Sequence, residues 1–383
     1  MAHKRTSFSR LQQQFNRHEF RELEKKYFKP NSGRKLTHWG HFSFWMFALV
    51  TKAKSLRFAV HQLNAMPEKL YHMGLRSVKL STISEANMKR THEFYRALFF
   101  AILHRLKKSV PRSLKKAIRV LDSTTVTFLD TRFKWAKFRS SKHGIKVHVL
   151  FDEQNDLPRN LKISNAKAAD VKEAHKFSYF RNIIYVFDRA YTDFKLWRKI
   201  HENKAFFVIR AKSNLLLTTL KKEIISDTPG VLERRVVALI GDAKGVFPEH
   251  LFLYRLIDLK TKKEIEVITN NAELSAEEIS EIYRNRWSIE LFFKWLKQNL
   301  QVKRMYGFSE NAVRLQIWLS MILYLLLWQM HHITLRGAAR FTDFLRTLTA
   351  RLMLPADIPN PIPIANSPNE TYRQHFFAFS TEH

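Results

Sequence analysis

Three acidic residues, far apart in the chain, have local surroundings that would make them chemically useful. Asp122 ends the apolar run AIRVLD and Asp188 ends the run IIYVFD, so each is predicted to close a buried strand at the sheet edge where open α/β sheets place their sites. Glu290 lies among apolar residues of a helix predicted over 274–300. Gathered in one place, three carboxylates would bind divalent cations, above all Mg²⁺, which prefers hard oxygen ligands. Two such ions about 3.5–4 Å apart would stabilise the attacking and leaving oxygens of a phosphodiester.

A stripe of polar residues follows the same predicted helix, which has Ser275 as its expected N-cap. Tyr283, Arg286, Glu290 and Lys297 keep to about one face of a helix with 3.6 residues per turn. In this interpretation Glu290 binds metal, while Arg286 and Lys297 hold phosphates. Tyr283 would add a further phosphate hydrogen bond.

Each of these residues also has an ordinary structural explanation. An Asp after a strand often serves as a turn or cap residue, and Arg286 and Glu290 could form a simple i, i+4 pair worth a few tenths of a kcal/mol. His143 and His148 could contact phosphate or carry protons, but packing is the favoured role for both. Function therefore depends on whether the carboxylates come together.

The strand and helix patterns that carry these residues predict a mixed α/β sheet. Apolar and β-branched runs predict strands over 115–129, 183–187 and 205–210, and a hairpin over 143–164 that turns near Asn155 and Asp156. Helices are predicted over 193–204, 274–300 and 310–330. The apolar stretch Trp318–Met330 falls short of the roughly 20 residues that span a membrane and is interpreted as a buried core helix.

Taken together, the motifs resemble the DDE-type transposases of the bacterial insertion-sequence-four group, whose signature is Tyr-x2-Arg-x3-Glu-x6-Lys. Residues 283–297 match that spacing, and LDSTT around Asp122 and FDRAYTDF around Asp188 resemble the first and second Asp motifs. One departure is Ala190, where many relatives have Gly. The N-terminal segment resembles the accessory helical domain of one subgroup.

The resemblance implies an RNase H-like catalytic core with a β-rich insertion between the second Asp and the Glu. Asp122, Asp188 and Glu290 would be the catalytic and metal-binding residues, with two Mg²⁺ ions, or Mn²⁺ in their place, as cofactor. Water would hydrolyse a phosphodiester at the transposon end, and the freed 3′-OH would attack target DNA. Trp287, rather than Trp295, is the candidate to stack on an unpaired base, because aromatic faces bind any base.

With this resemblance, the chain is divided into five segments. Residues 1–110 are predicted to form a helical DNA-binding domain, 111–210 the first part of the catalytic core and 211–272 the β-rich insertion. Residues 273–350 would form the C-terminal helical part of the core, and 351–383 a Pro-rich irregular tail.

The composition is consistent with a DNA partner. The 383 residues carry a net charge of +32 and contain no Cys, which excludes disulfides, Cys-ligated zinc and thiol catalysis. Such an excess of positive charge favours binding to double-stranded DNA, here the transposon ends and the target. A homodimer is expected because two transposon ends must be held together. A cytoplasmic, nucleoid-associated location without membrane contact is expected because no secretory signal is visible.

Two other function classes stay open at this point. One is a metal-dependent RNase H-like nuclease or resolvase that cuts DNA without strand transfer. The other is an inactive protein that keeps only the recognition of transposon ends. The intact acidic set argues against the second, and the Tyr-Arg-Glu-Lys spacing favours a transposase over the first.

Overall fold

The computed structural model describes residues 6–30, 35–109, 117–128, 130–138, 142–225, 227–257, 262–300, 304–334 and 341–354. The chain divides into two compact units. The helical unit comprises Met1–Pro111, Phe128–Lys137 and Lys294–His383, and the sheet unit comprises Arg112–Thr127 and Phe138–Phe293. Most of the predicted tail over 351–383 lies outside the described residues, apart from a turn at 351–354.

The described N-terminal residues of the helical unit form seven helices. They are α1 (Ser7–Gln12), α2 (Arg17–Tyr27), α3 (His38–Val50), α4 (Leu56–Asn64), α5 (Pro67–Leu70), α6 (Leu80–Lys89) and α7 (His92–Ser109). Helix α3 is apolar on nearly every side and is buried accordingly, and the Thr37 side chain caps its first turn by accepting a hydrogen bond from the Gly40 N–H.

The described residues of the sheet unit form nine strands. They are β1 (Ala117–Phe128), β2 (His143–Asp152), β3 (Leu157–Asn165), β4 (Ile183–Phe187), β5 (Phe206–Arg210), β6 (Leu217–Ile224), β7 (Val231–Leu239), β8 (Leu251–Ile257) and β9 (Glu264–Thr269). Their order across the sheet is β3-β2-β1-β4-β5-β9-β8-β7-β6. Strand β4 runs parallel to β1 and β5, whereas β5 through β9 and the β2–β3 hairpin are antiparallel.

The strands that were predicted around the acidic residues are confirmed. The run over 115–129 forms β1, and the run over 183–187 forms β4. The predicted hairpin is β2 and β3, and its turn includes Asp156 with a positive φ of 50°.

In the described part of the sheet unit, four helices lie between or after the strands in chain order, and a fifth begins there and ends beyond Phe293. They are α8 (Asp170–Ala174), α9 (Phe194–Glu202), α10 (Asp242–Val246), α11 (Ala276–Asn285) and α12 (Trp287–Asn299). The predicted helix over 193–204 is confirmed as α9, which buries Leu196, Trp197 and Ile200 against the sheet core.

The prediction of one continuous helix over 274–300 is wrong. Ser275 caps α11 as expected, in a capping box with Glu278, but α11 ends at Asn285 and α12 begins at Trp287. The Arg286 N–H bonds to the Tyr283 carbonyl and the Ile289 N–H to the Arg286 carbonyl. These are i→i−3 bonds, so the chain tightens at Arg286 and the i→i−4 ladder is interrupted.

Two C-terminal helices, α13 (Glu310–Gln329) and α14 (Phe341–Ala350), complete the helical unit. Helix α13 packs against α3 and α7. Among the described residues one segment, Glu310–His332, is long and apolar enough to cross a membrane, but 89% of its most apolar window is buried inside the protein. It therefore has the character of the predicted core helix.

Candidate active site

Asp122 and Asp188 lie side by side on neighbouring parallel strands. The register pairs Ala117 with Ile183 and Val120 with Val186, so continuing it by two residues brings Asp122 level with Asp188. Neighbouring strands are about 4.8 Å apart, which places the two carboxylates close together. Asp188 follows β4 as predicted, but Asp122 does not end its strand, because β1 continues to Phe128.

Glu290 reaches the same region from the first turn of α12. The aromatic rings of Phe292 and Phe151 of β2 pack with their centroids 4.9 Å apart, and this contact holds α12 to the sheet. The Arg286 guanidinium donates from Nη2 to Glu290 Oε1 at 2.6 Å, and its Nη1 lies 4.0 Å from Asp122 Oδ2. Arg286 therefore links Glu290 to Asp122.

The electrostatics of Asp122 show that the three carboxylates share one environment. The pKa of Asp122 is raised to about 7, chiefly by burial and to a smaller extent by the charges of the nearby Asp188 and Glu290. A hydrogen bond from the Ser123 N–H and the charge of Arg286 act in the opposite direction. Burial, helped by the two neighbouring carboxylates, therefore disfavours ionisation of Asp122.

Tyr283 also belongs to this cluster. The Arg286 guanidinium lies over its ring at 5.8 Å from the centroid. Burial raises the pKa of Tyr283, Arg286 and Arg210 lower it, and Asp188 raises it. Arg286 thus lies next to both Tyr283 and Glu290, on the helix face that the spacing predicted.

The remaining predicted site residues lie further along α12. Trp287 is 57% exposed, whereas Trp295 is buried against Tyr324 and Phe341. The core role proposed for one of the two tryptophans therefore belongs to Trp295. Lys297 is half-buried, seven residues beyond Glu290 on the same helix, and belongs to the helical unit.

Asp170, which contacts the neighbour of Asp122 in the chain, was not predicted from the sequence. The Ser123 hydroxyl donates to Asp170 Oδ1 at 2.6 Å, and the Lys146 ammonium donates to Asp170 Oδ2 at 3.0 Å. His148 is buried beside them, 3.6 Å from Asp170, and its packing role is the one that the sequence favoured. Asp170 had no signal of its own, because it follows a loop rather than an apolar strand.

Tyr191 adds a buried hydroxyl to the same region. Its oxygen has no hydrogen-bond partner among the described residues. Burial raises the pKa of Tyr191, and the charges of Asp122, Asp170 and Asp188 raise it as well. Asp122, Asp170 and Asp188 therefore all lie close enough to Tyr191 for their charges to act on its hydroxyl.

The residues fit a divalent cation in chemistry but are not assembled around one. Asp122, Asp188 and Glu290 supply the hard oxygen ligands that Mg²⁺ prefers, and a cation beside Asp122 would counteract both the burial and the neighbouring carboxylates that raise its pKa. However, no three His, Cys, Asp or Glu side chains form a ready-made metal-binding group in the part of the chain that the structure describes. Arg286 supplies the compensating positive charge instead.

The mixed sheet with its accompanying helices places the chain in the α/β class, and similarity to known proteins gives its family. Residues 113–326 match the family described as Transposase DDE domain, and residues 3–76 match one described as Domain of unknown function (DUF4372). The chain belongs to the DDE transposase family. The DDE transposase that the motifs predicted is thereby confirmed.

Related proteins support the same assignment. The chain is 32% identical over 309 residues to the y4zB transposase candidate of Sinorhizobium fredii, covering 78% of this chain and 85% of the relative. It is 29% identical over 299 residues to the transposase candidate of insertion sequence element IS5377 in Geobacillus stearothermophilus, covering 77% of this chain and 75% of the relative. The fold is similar to that of the piggyBac transposase in a synaptic complex with hairpin DNA, with a TM-score of 0.50 at 11% identity, covering 92% of this chain and 80% of the other.

Proposed function

We propose that this chain is an insertion-sequence transposase of the insertion-sequence-four group. It binds the terminal inverted repeats of its element, hydrolyses phosphodiesters at the ends and joins the freed 3′-OH to target DNA. The observation that carries this proposal is that the charges of Asp188, Glu290 and Arg286 all act on Asp122, with Arg286 2.6 Å from Glu290 and 4.0 Å from Asp122.

The topology supports an RNase H-like catalytic core. Strands β3-β2-β1-β4-β5 carry Asp122 and Asp188, and the antiparallel strands β6 to β9 lie in the chain between Asp188 and Glu290. This is the position at which the family resemblance implies a β-rich insertion. We accordingly propose the domain division 1–110, 111–210, 211–272, 273–350 and 351–383.

In this function each residue of the site has a definite task. Asp122, Asp188 and Glu290 would hold two Mg²⁺ ions, which when bound activate water and stabilise the charge that develops on the phosphate. Arg286 holds the Glu290 carboxylate in place and brings positive charge next to Asp122. The Ser123 N–H, at 2.7 Å from Asp122 Oδ1, fixes the orientation of that carboxylate.

DNA is held by groups on α11, on α12 and at the break between them. Tyr283, Arg286 and Lys297 bind phosphates, and the exposed face of Trp287 stacks on an unpaired base. The net charge of +32 makes the affinity steeply dependent on salt, since each phosphate contact releases counterions. A homodimer would hold the two ends, and the protein would act in the cytoplasm, on the nucleoid.

Three isosteric substitutions test the proposal. Asp122→Asn, Asp188→Asn and Glu290→Gln should each abolish Mg²⁺-dependent cleavage of DNA carrying the element's ends, while binding of that DNA at moderate salt persists. Asp242→Asn, which changes an exposed carboxylate of α10, is the matched control and should cleave normally. Cleavage at the wild-type rate by Glu290→Gln would refute the assignment.

The same assay separates the two other function classes. A nuclease or resolvase would cut the ends but give no product in which the 3′-OH is joined to target DNA. An inactive end-binding protein would bind the ends and cut nothing with Mg²⁺ or Mn²⁺. Either result would overturn the proposed transposase activity.

A further inference from the structure

A pocket in the N-terminal helices of the helical unit is not explained by the cleavage site. Its volume is about 360 Å³, and it lies between α1, the start of α2 and the turn that follows α5. The floor is formed by buried residues, among them Gln12 and Phe15, and the rim by exposed ones, among them Arg17 and Tyr71. The volume is at the lower end of the range for small-molecule pockets, so a single nucleotide or a similar group would fit and a duplex would not.

Arg17 and Trp39 form a stacked pair on one wall. The Arg17 guanidinium lies 4.8 Å from the centroid of the Trp39 ring. Gly74 closes over this pair in a turn with φ +66°, where a Cβ atom would stand 3.0 Å from both Arg17 Nη2 and the Trp39 ring. A glycine is therefore required for this close approach, and the pair is a built feature of the pocket.

The positive charge of this wall is not neutralised within the protein. Arg17 forms no ion pair with any carboxylate among the described residues, and no acidic residue lines the pocket. Over residues 1–110 as a whole, 22 Lys and Arg residues face 6 Asp and Glu residues. The ligand that this electrostatic environment favours is an anion.

Tyr71 supplies an aromatic face at the rim. Its side chain is 83% exposed, more than any other large hydrophobic residue that the structure describes, and its ring makes a T-shaped contact with His72. An aromatic ring held in solvent beside a cationic pocket is the combination that binds the bases and phosphates of single-stranded nucleic acid.

We infer that this pocket binds one unpaired nucleotide of the DNA substrate, with its base against Tyr71 and its phosphate beside Arg17. The inference rests on the proposed function only in taking DNA as the ligand. It assigns to the matched domain of unknown function a site for single-stranded or extruded DNA, separate from the carboxylates of the sheet unit.

The test uses the full-length protein and two labelled probes, a paired duplex and the same duplex with a single-stranded overhang containing 2-aminopurine. Tyr71→Ala, which removes the base stack, and Arg17→Gln, which removes the phosphate contact, should each weaken binding of the overhang probe about fivefold or more. Both should also abolish the quenching of 2-aminopurine that the wild type shows. Phe58→Ala, which removes another exposed aromatic ring of the same unit, is the matched control and should behave as the wild type.

The outcomes separate this inference from the proposed function. If Tyr71→Ala binds and quenches the overhang probe as the wild type does, the pocket inference is wrong while DNA cleavage is untouched. Saturation of the pocket by dAMP without any preference for the overhang probe would identify a free nucleotide as the ligand and would also overturn it. If the wild type binds neither probe, both the inference and the proposed function fail.

Discussion

Replacing Arg286 with Gln should destabilise the metal-free protein and at the same time strengthen its binding of Mg²⁺. The Arg286 side chain is only 17% exposed and lies between Glu290, at 2.6 Å, and Asp122, at 4.0 Å. It is the positive charge next to a carboxylate whose pKa burial has already raised to about 7. Without it, repulsion among the three carboxylates is no longer compensated.

The magnitude follows from these two contacts. A hydrogen bond to a charged group contributes about 1.5–3 kcal/mol. Two unit charges 4 Å apart interact by about 4 kcal/mol at an effective dielectric constant of about 20. The protein recovers part of this loss, because Arg286 is no longer buried and water screens the partly exposed Glu290. The net loss of unfolding free energy should be about 2–4 kcal/mol near neutral pH.

The assay is urea denaturation in EDTA, repeated over a Mg²⁺ titration. Lys89→Gln is the control, because Lys89 and Glu85 form another i, i+4 pair at 2.6 Å, with side chains 74% and 54% exposed. Its loss should be under about 0.5 kcal/mol. Mg²⁺ should stabilise Arg286→Gln at lower concentration than the wild type, since a competing cation has been removed.

Two results would refute this reasoning. A loss in Arg286→Gln no larger than that in Lys89→Gln would mean that Arg286 forms only an ordinary surface pair. Weaker Mg²⁺ binding in Arg286→Gln would mean that Arg286 organises the carboxylates rather than compensating their charge.

Three further predictions concern other parts of the protein. Acidification from pH 8 to pH 5 should remove about 2 kcal/mol of unfolding free energy through His41 alone, because burial, with Arg90 nearby, lowers its pKa to about 3 and only the unfolded chain takes up the proton. This stability is fully present above the unfolded-state pKa of 6.5 and is lost as the pH falls toward 3. His41→Gln should therefore reduce the change in unfolding free energy between pH 8 and pH 5 by about 2 kcal/mol, measured by urea denaturation. An unchanged pH dependence in this variant would contradict the prediction. Trp287→Ala should leave stability unchanged and weaken binding of DNA with an unpaired base about fivefold or more. Trp295→Ala should instead lower the unfolding free energy by about 3–5 kcal/mol. Equal thermal shifts in the two variants would contradict this division of roles. Asp170→Ala should raise the Mg²⁺ concentration for half-maximal cleavage about tenfold, because the Ser123 hydroxyl next to Asp122 loses its acceptor. An unchanged Mg²⁺ dependence would mean that Asp170 does not support the site.

Local patterns were enough to locate the acidic residues and most of the elements that carry them. The apolar runs before Asp122 and Asp188 have the length and composition of buried strands, and the spacing from Tyr283 to Glu290 brings side chains together within two turns of helix. These features depend on neighbours in the sequence, and so the strands β1 and β4 and the contact between Arg286 and Glu290 could be predicted.

Contacts between distant segments decided the rest. The parallel register that brings Asp122 level with Asp188 joins residues 66 positions apart, and Asp170 meets Ser123 across 47 positions. The helix break at Arg286 arises from i→i−3 hydrogen bonds that helical periodicity does not anticipate. Likewise, Gly74 covers Arg17 and Trp39 only after three helices have packed. Packing between distant parts of the chain sets the distances between these side chains and the charges that surround them. Local sequence patterns do not determine either.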